Sequence, residues 1–224
     1  MHCRRRVRLP TRTRSLSAIL VGGSGVNGTD QSSYSFTNLF IATPPDAQRV
    51  VYAWVFTSAA GTTSSDAEPT SCTIGGVVPA MVIGGVRTVT NSSGIFLFAA
   101  NIAGGGTATV SLSFSVSQRR CGCIVASTIS PLLVPRIYGL LSASGTSDIA
   151  GSVAVPNIGF VGVHNQHNTA VGNAFTFSGA GSSEVMDINI EGGTQMAAAT
   201  LGVSGNLSIA SNNDAGMDAI WIAM

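Results

Sequence analysis

Cys3, Cys72, Cys121 and Cys123 are the residues best suited by type and spacing to carry chemistry. Cys121 and Cys123 frame one glycine and follow Arg119 and Arg120. Adjacent positive charge lowers a thiol pKa and raises its reactivity. Residues two apart on a strand share a face, so this pair could bridge or hold a soft metal ion together. Zinc usually takes C-x₂₋₄-C spacing rather than C-x-C, and no further ligands are evident nearby. Cys3 lies close to the N-terminus, from where a thiol can reach another subunit. Cross-linking, within the chain or between copies, stands beside a plainer reading of thiols serving as small hydrophobes. The even count decides nothing without a known compartment. His164 and His167 form an H-x-x-H. That spacing binds metal only with further ligands, and no Asp or Glu is near in sequence. Loop polarity is the simpler account, unless copies around a symmetry axis each donate a histidine.

Enzyme motifs are missing. Gly22–Val26 and Gly202–Asn206 fail the G-x-S-x-G elbow of a serine hydrolase. Paired glycosidase carboxylates need two acids roughly 5–9.5 Å apart, a distance that sequence does not encode. Gly104–Gly106 lacks the lysine and the strand-to-helix setting of a phosphate loop. Asn212–Asp214 suits calcium in residue type, but the EF-hand pattern is absent. Trp54, Trp221 and Tyr52 could stack on sugars, yet they lie in apolar runs that favour core burial. The expectation is therefore a non-enzyme with no catalytic residue, no cofactor and no metal site.

The charges are arranged as an arm and a body. All 11 basic residues are arginine, and Arg4, Arg5, Arg6, Arg8, Arg12 and Arg14 lie within the first fourteen positions. All ten acids come later, so residues 15–224 hold five arginines against ten acids. A basic arm on a mildly acidic body suggests contact with an acidic partner, including another copy of the chain. Nucleic-acid contact, a targeting peptide and a solvated tail are the other readings, and the first is weak here. Charged residues are only 9% of the chain, against about 25% in an ordinary soluble protein. So sparse a surface charge suits a protein whose faces are covered by copies of itself. No apolar run approaches the ~20 residues of a membrane helix, so no membrane role is expected.

The elements that must position these residues read as short strands. Arg49–Thr57 (RVVYAWVFT) has the near-continuous apolar character of a strand buried on both faces. Thr107–Val116 alternates Val110, Leu112, Phe114 and Val116 against Ser111, Ser113 and Ser115. Gly75–Gly76, Gly104–Gly106, Asn189–Gly193 and Ser204–Asn206 read as hairpin turns. Gly61–Pro69 reads as a polar loop, and Gly22–Ser33 as a linker too rich in turn formers for regular structure. The helix candidate Gln195–Leu201 is too short, and no fixed internal repeat is visible. About thirteen short strands predict an all-β fold, a β-sandwich or jelly-roll-like domain over residues 30–224 with a possible seam at 142–152. Residues 1–29 form the arm and linker. Unpaired strand edges without lysine gatekeepers are expected to be covered by neighbouring subunits.

Arg49–Phe56, Cys72–Met81 (CTIGGVVPAM), Ile95–Ile102 (IFLFAANI) and Gly105–Phe114 (GGTATVSLSF), in that order, resemble a pattern in structural proteins of tailed bacteriophages. The resemblance spans about residues 34–142. It implies a virion component, a head decoration protein or part of a head or tail fibre, of the β-sandwich type that forms trimers or other cyclic oligomers. It carries over no enzymatic site. Location on the capsid exterior, with the major capsid protein or another virion protein as partner, follows as the expectation. A receptor- or glycan-binding fibre or adhesin head is the alternative.

Overall fold

The computed structural model describes residues 19–42, 44–59, 63–88, 92–129, 137–143, 149–156, 158–165, 175–191, 194–211 and 216–223. Cys3, the six arm arginines, His167 and Asn212–Asp214 lie outside the described residues. Among the described residues the structure is all-β apart from one short turn of helix. The strands are β1 (Leu20–Asn27), β2 (Gln31–Phe40), β3 (Arg49–Ala59), β4 (Pro69–Ile74), β5 (Ala80–Thr88), β6 (Ser92–Asn101) and β7 (Thr107–Ile129), with α1 (Ser64–Ala67) before β4. There follow β8 (Ile137–Ala143), β9 (Ile149–Val155), β10 (Gly159–Asn165), β11 (Phe175–Gly179), β12 (Ser182–Glu191), β13 (Thr194–Leu201), β14 (Gly205–Ser211) and β15 (Met217–Ala223).

The strands build four stacked layers around three cores. β7 is long enough to serve two layers. Its first part pairs with β2 and β4, and its second part lies between β1 and β3 in the order β1-β7-β3-β6-β5. The first core fills the space between these layers with Tyr34, Phe36, Val55, Phe98, Val110 and Leu112 among others. The second half repeats the plan. A five-stranded sheet, β12-β13-β10-β15-β8, packs against a three-stranded sheet, β11-β14-β9, around Val161, Leu207, Ile209 and Trp221. The two five-stranded sheets then face each other across a central core of Tyr52, Trp54, Phe56, Ile124, Phe160 and Ile220.

The alternation of side chains between the two faces of each strand accounts for the layering. On β3, Val51, Ala53 and Val55 enter the first core while Val50, Tyr52, Trp54 and Phe56 enter the central one. Both faces are buried, so the run carries almost no polar side chain. On β7, Val110, Leu112 and Phe114 are buried while Ser115 is exposed.

Several turn and linker expectations need correction. Residues 22–33 are not an unstructured linker: they supply most of β1 and the start of β2. The glycines of β1 are there for close approach. A Cβ on Gly22 would lie 2.2 Å from the Phe40 carbonyl oxygen, and one on Gly25 would lie 2.6 Å from the Phe36 ring. Gly104–Gly106 and Ser204–Asn206 are corners rather than hairpins, since β6 and β13 lie in inner sheets while the first part of β7 and β14 lie in outer ones. Arg49 braces the first corner from inside. Its buried guanidinium donates to the carbonyls of Ile102, Gly104 and Gly105, the first at 2.7 Å. Gly75–Gly76 does turn the chain, with paired backbone hydrogen bonds between Ile74 and Val77, but β4 and β5 then part into different layers. The polar loop at 61–69 contains α1, started by the Asp66 carboxylate accepting from the Thr63 N–H at 2.9 Å. β12 and β13 pair as a hairpin. The boundary between the halves falls in residues 130–136, and the stretch expected as a seam, 142–152, instead links β8 to β9 within the second half. The sheet orders of the two halves match strand for strand, so a structural repeat exists where no repeat was legible in sequence.

Candidate functional site

Cys72, Cys121 and Cys123 all project into the first core, one from β4 and two from β7. All three are free thiols. The reading of an activated Cys121–Cys123 pair fails for a physical reason. Burial pushes the Cys121 and Cys123 thiols well up, and their nearness to Cys72 pushes the same way. Cys72 is pushed up to about 12 by burial. The two thiols do share a face, as the spacing required, but the flanking arginines do not govern them. Cross-linking through these three is not seen, and they behave as small hydrophobes. Among the described residues, no group of three or more His, Cys, Asp and Glu is arranged to hold a metal ion.

His164 is not a loop residue. It lies near the end of β10, fully buried, with its ring 5.8 Å from the Phe56 ring across the central core. The strand opposite places Asp218, 2% exposed, directly in register with it. Sequence reasoning missed this carboxylate because 53 residues and four strands intervene; only the pairing of β10 with β15 reveals it. Further along the same end of the central core, Ser58 on β3 stands in register with Arg120 on β7. Ser93 on β6, in register with Ser58, and Thr194 on β13 are buried at the same end. The seam is thus apolar through most of its length and polar at one end.

The next residues along feed a separate chain of hydrogen bonds that ties the sheets of the second half. The Asn165 Nδ2 donates to Ser211 Oγ at 2.8 Å, and Asn165 Oδ1 accepts from the Gln195 N–H at 3.2 Å. The Gln195 side-chain amide donates to the Asp187 carboxylate, which also accepts from the Phe175 N–H at 3.2 Å. Burial pushes the Asp187 carboxyl up while these two hydrogen bonds pull it down, and the balance is upward. Glu184 on the same strand is pushed up by burial and then by Asp187.

The aromatic residues considered for sugar stacking are inside. Tyr52 and Trp54 are fully buried in the central core and Trp221 is nearly so in the third core. Trp54 Nε1 donates to the Ile220 carbonyl at 3.0 Å, binding the two halves together. The apolar groups left at the surface lie instead along sheet edges and turns. β5 and β8 meet at one side, where Leu140 covers Gly85, and expose Met81, Tyr138 and Leu140. β1 and β12 meet at the other side and expose Leu20, Val26 and Val185. Val78, beside the Gly75–Gly76 turn, is 80% exposed. Among the described residues, no helix is long and apolar enough to cross a membrane.

No family model matches the chain, and neither a curated protein nor a solved structure matches it.

Proposed function

We propose that the chain is a non-enzymatic structural protein of a virion, a decoration subunit that reinforces the capsid exterior. The observation that carries this reading is the pairing of jelly-roll winding with open, apolar sheet edges. Each half runs first-eighth-third-sixth-fifth in its inner sheet and second-seventh-fourth in its outer sheet, when the two parts of β7 are counted as the seventh and eighth strands. Jelly rolls recur in viral capsid and lectin domains. The aromatic residues read as sugar platforms in the lectin alternative, Trp54, Trp221 and Tyr52, are all in cores. Coat-type assembly needs edges that another subunit can cover, and both sides of this slab have them.

In this reading, copies meet through their edges in a trimer or other cyclic oligomer. The Arg4–Arg14 arm attaches the oligomer to an acidic surface of the major capsid protein or another virion protein. Contacts made only in the assembled shell would stabilise it by mass action. The test is quantitative mass spectrometry of particles produced by the genome that encodes this chain, with and without deletion of residues 2–14. The chain is expected in stoichiometric amount on intact particles and should be lost from them on deletion. Absence of the full-length chain from particles, or unchanged occupancy after deletion, overturns the proposal.

A further inference from the structure

The two halves agree at a finer level than strand order. In the first, Trp54 lies in register between Leu97 and Ile124; in the second, Gly162 lies between Ala198 and Ile220. Beside Leu97 the next strand carries a bulge: Phe98 faces Met81 and Leu97 faces Ile83, so Val82 is the extra residue. Beside Ala198 the same thing occurs: Ala199 faces Glu184 and Ala198 faces Met186, so Val185 is extra. A left-handed turn also precedes each bulged strand: Gly75 and Gly76 have φ of 58° and 80°, and Gly179, Ala180 and Gly181 have 78°, 48° and 57°. That conformation is why a non-glycine residue, Ala180, sits in the left-handed region. A bulge is a specific feature of a fold, and its repetition at one position is not required by a shared sheet order.

Positions that correspond between the halves also face each other across the seam. The Trp54 ring lies over Gly162, where a Cβ would come within 2.6 Å of it, and Phe56 lies beside His164. At the sides, β5 meets β8 and β1 meets β12, which is one contact generated twice by exchanging the halves. An isologous two-fold interface has these properties, with its axis along the central strands β3 and β10.

We infer that the chain is an internal dimer: residues 20–129 and 137–223 are diverged copies of one eight-strand unit, and the five-stranded face of that unit is a docking surface for a second copy of itself. The copies have specialised in complementary ways. Where one supplies a large ring, Trp54, the other supplies Gly162. Where the first has Phe56 opposite Gly122, the second has His164 opposite Asp218.

Thermal unfolding of the full chain tests the two-fold equivalence. Trp54→Gly opens a cavity at the axis and Gly162→Trp crowds it, so each should lower Tm by roughly 10 °C. The exchange W54G/G162W moves the ring to the other copy, where its Nε1 can donate to the Ile124 carbonyl, and should recover at least half of either loss. A double variant at or below the worse single variant overturns the equivalence. A second measurement does not depend on those variants folding. A protease site placed within residues 130–136 of the full chain is cleaved, and the product is run on a sizing column without denaturant. The two fragments should elute together as one folded species. Fragments that separate, or a chain that unfolds on cleavage, overturn the docking surface.

Discussion

Arg119 and Arg120 stand directly before Cys121 in sequence, yet the strand turns the thiols away from solvent into the first core. Desolvation disfavours a thiolate more strongly than arginines on the opposite face of the strand favour it. Cys72, pushed up to about 12, and the deeper Cys121 and Cys123 should therefore stay protonated and unreactive at neutral pH. In a Cys3→Ser variant at pH 7.5, a disulfide-exchange reagent should label none of the three within minutes, and all three once denaturant is added. Rapid labelling of two thiols in the folded chain would contradict this. Asp187 gives a pH signature of defined sign. Its folded pKa is raised, so between the unfolded value, about 3.9, and the folded one the native state binds more protons than the unfolded state. Stability supplied by the neutral carboxyl is fully present below that window and is lost as pH rises through it. Urea midpoints of wild type and Asp187→Asn, measured from pH 3.5 to 7, should show wild type losing ground to the variant as pH rises. A constant difference would contradict the assignment. Glu184 shifts in the same direction; its burial contribution persists in the variant, while the part due to Asp187 is lost with that carboxylate.

At the scale of elements, the legible strands were those whose side chains respond to burial. β3 and β6 are apolar because both faces are covered, and the first part of β7 alternates because one face is not. β1 was illegible because its glycines make room for Phe40 and Phe36, and the same letters ordinarily mark turns. The corners after β6 and β13 were misread for a related reason: a glycine-rich connection looks the same whether the next strand pairs with the last or crosses to another layer. What distinguishes the first corner is Arg49, 53 residues before Ile102, whose guanidinium gathers the corner carbonyls. Long-range partners of this kind leave no local signal. Asp218, brought opposite His164 by strand pairing alone, was hidden in the same way.

At the scale of the whole molecule, the all-β class followed from composition and periodicity, whereas the duplication did not. Corresponding positions hold Trp and Gly, Phe and His, or Leu and Ala, so little similarity survives in the letters. It survives in backbone features, a bulge and a turn, which depend on geometry more than on side-chain identity. The four-layer slab buries its inner sheet faces in three cores and exposes apolar side chains along its edges, which in the proposed function are the surface for assembly. The native mass in solution, by light scattering at low and high salt, tests that claim most directly. The full chain should be a cyclic oligomer such as a trimer, insensitive to salt because the edge contacts are apolar. The pair of substitutions Met81→Lys and Tyr138→Lys, both at exposed positions on the β5–β8 edge, should reduce it to a folded monomer. A full-length chain that is monomeric at both salt concentrations would contradict the account.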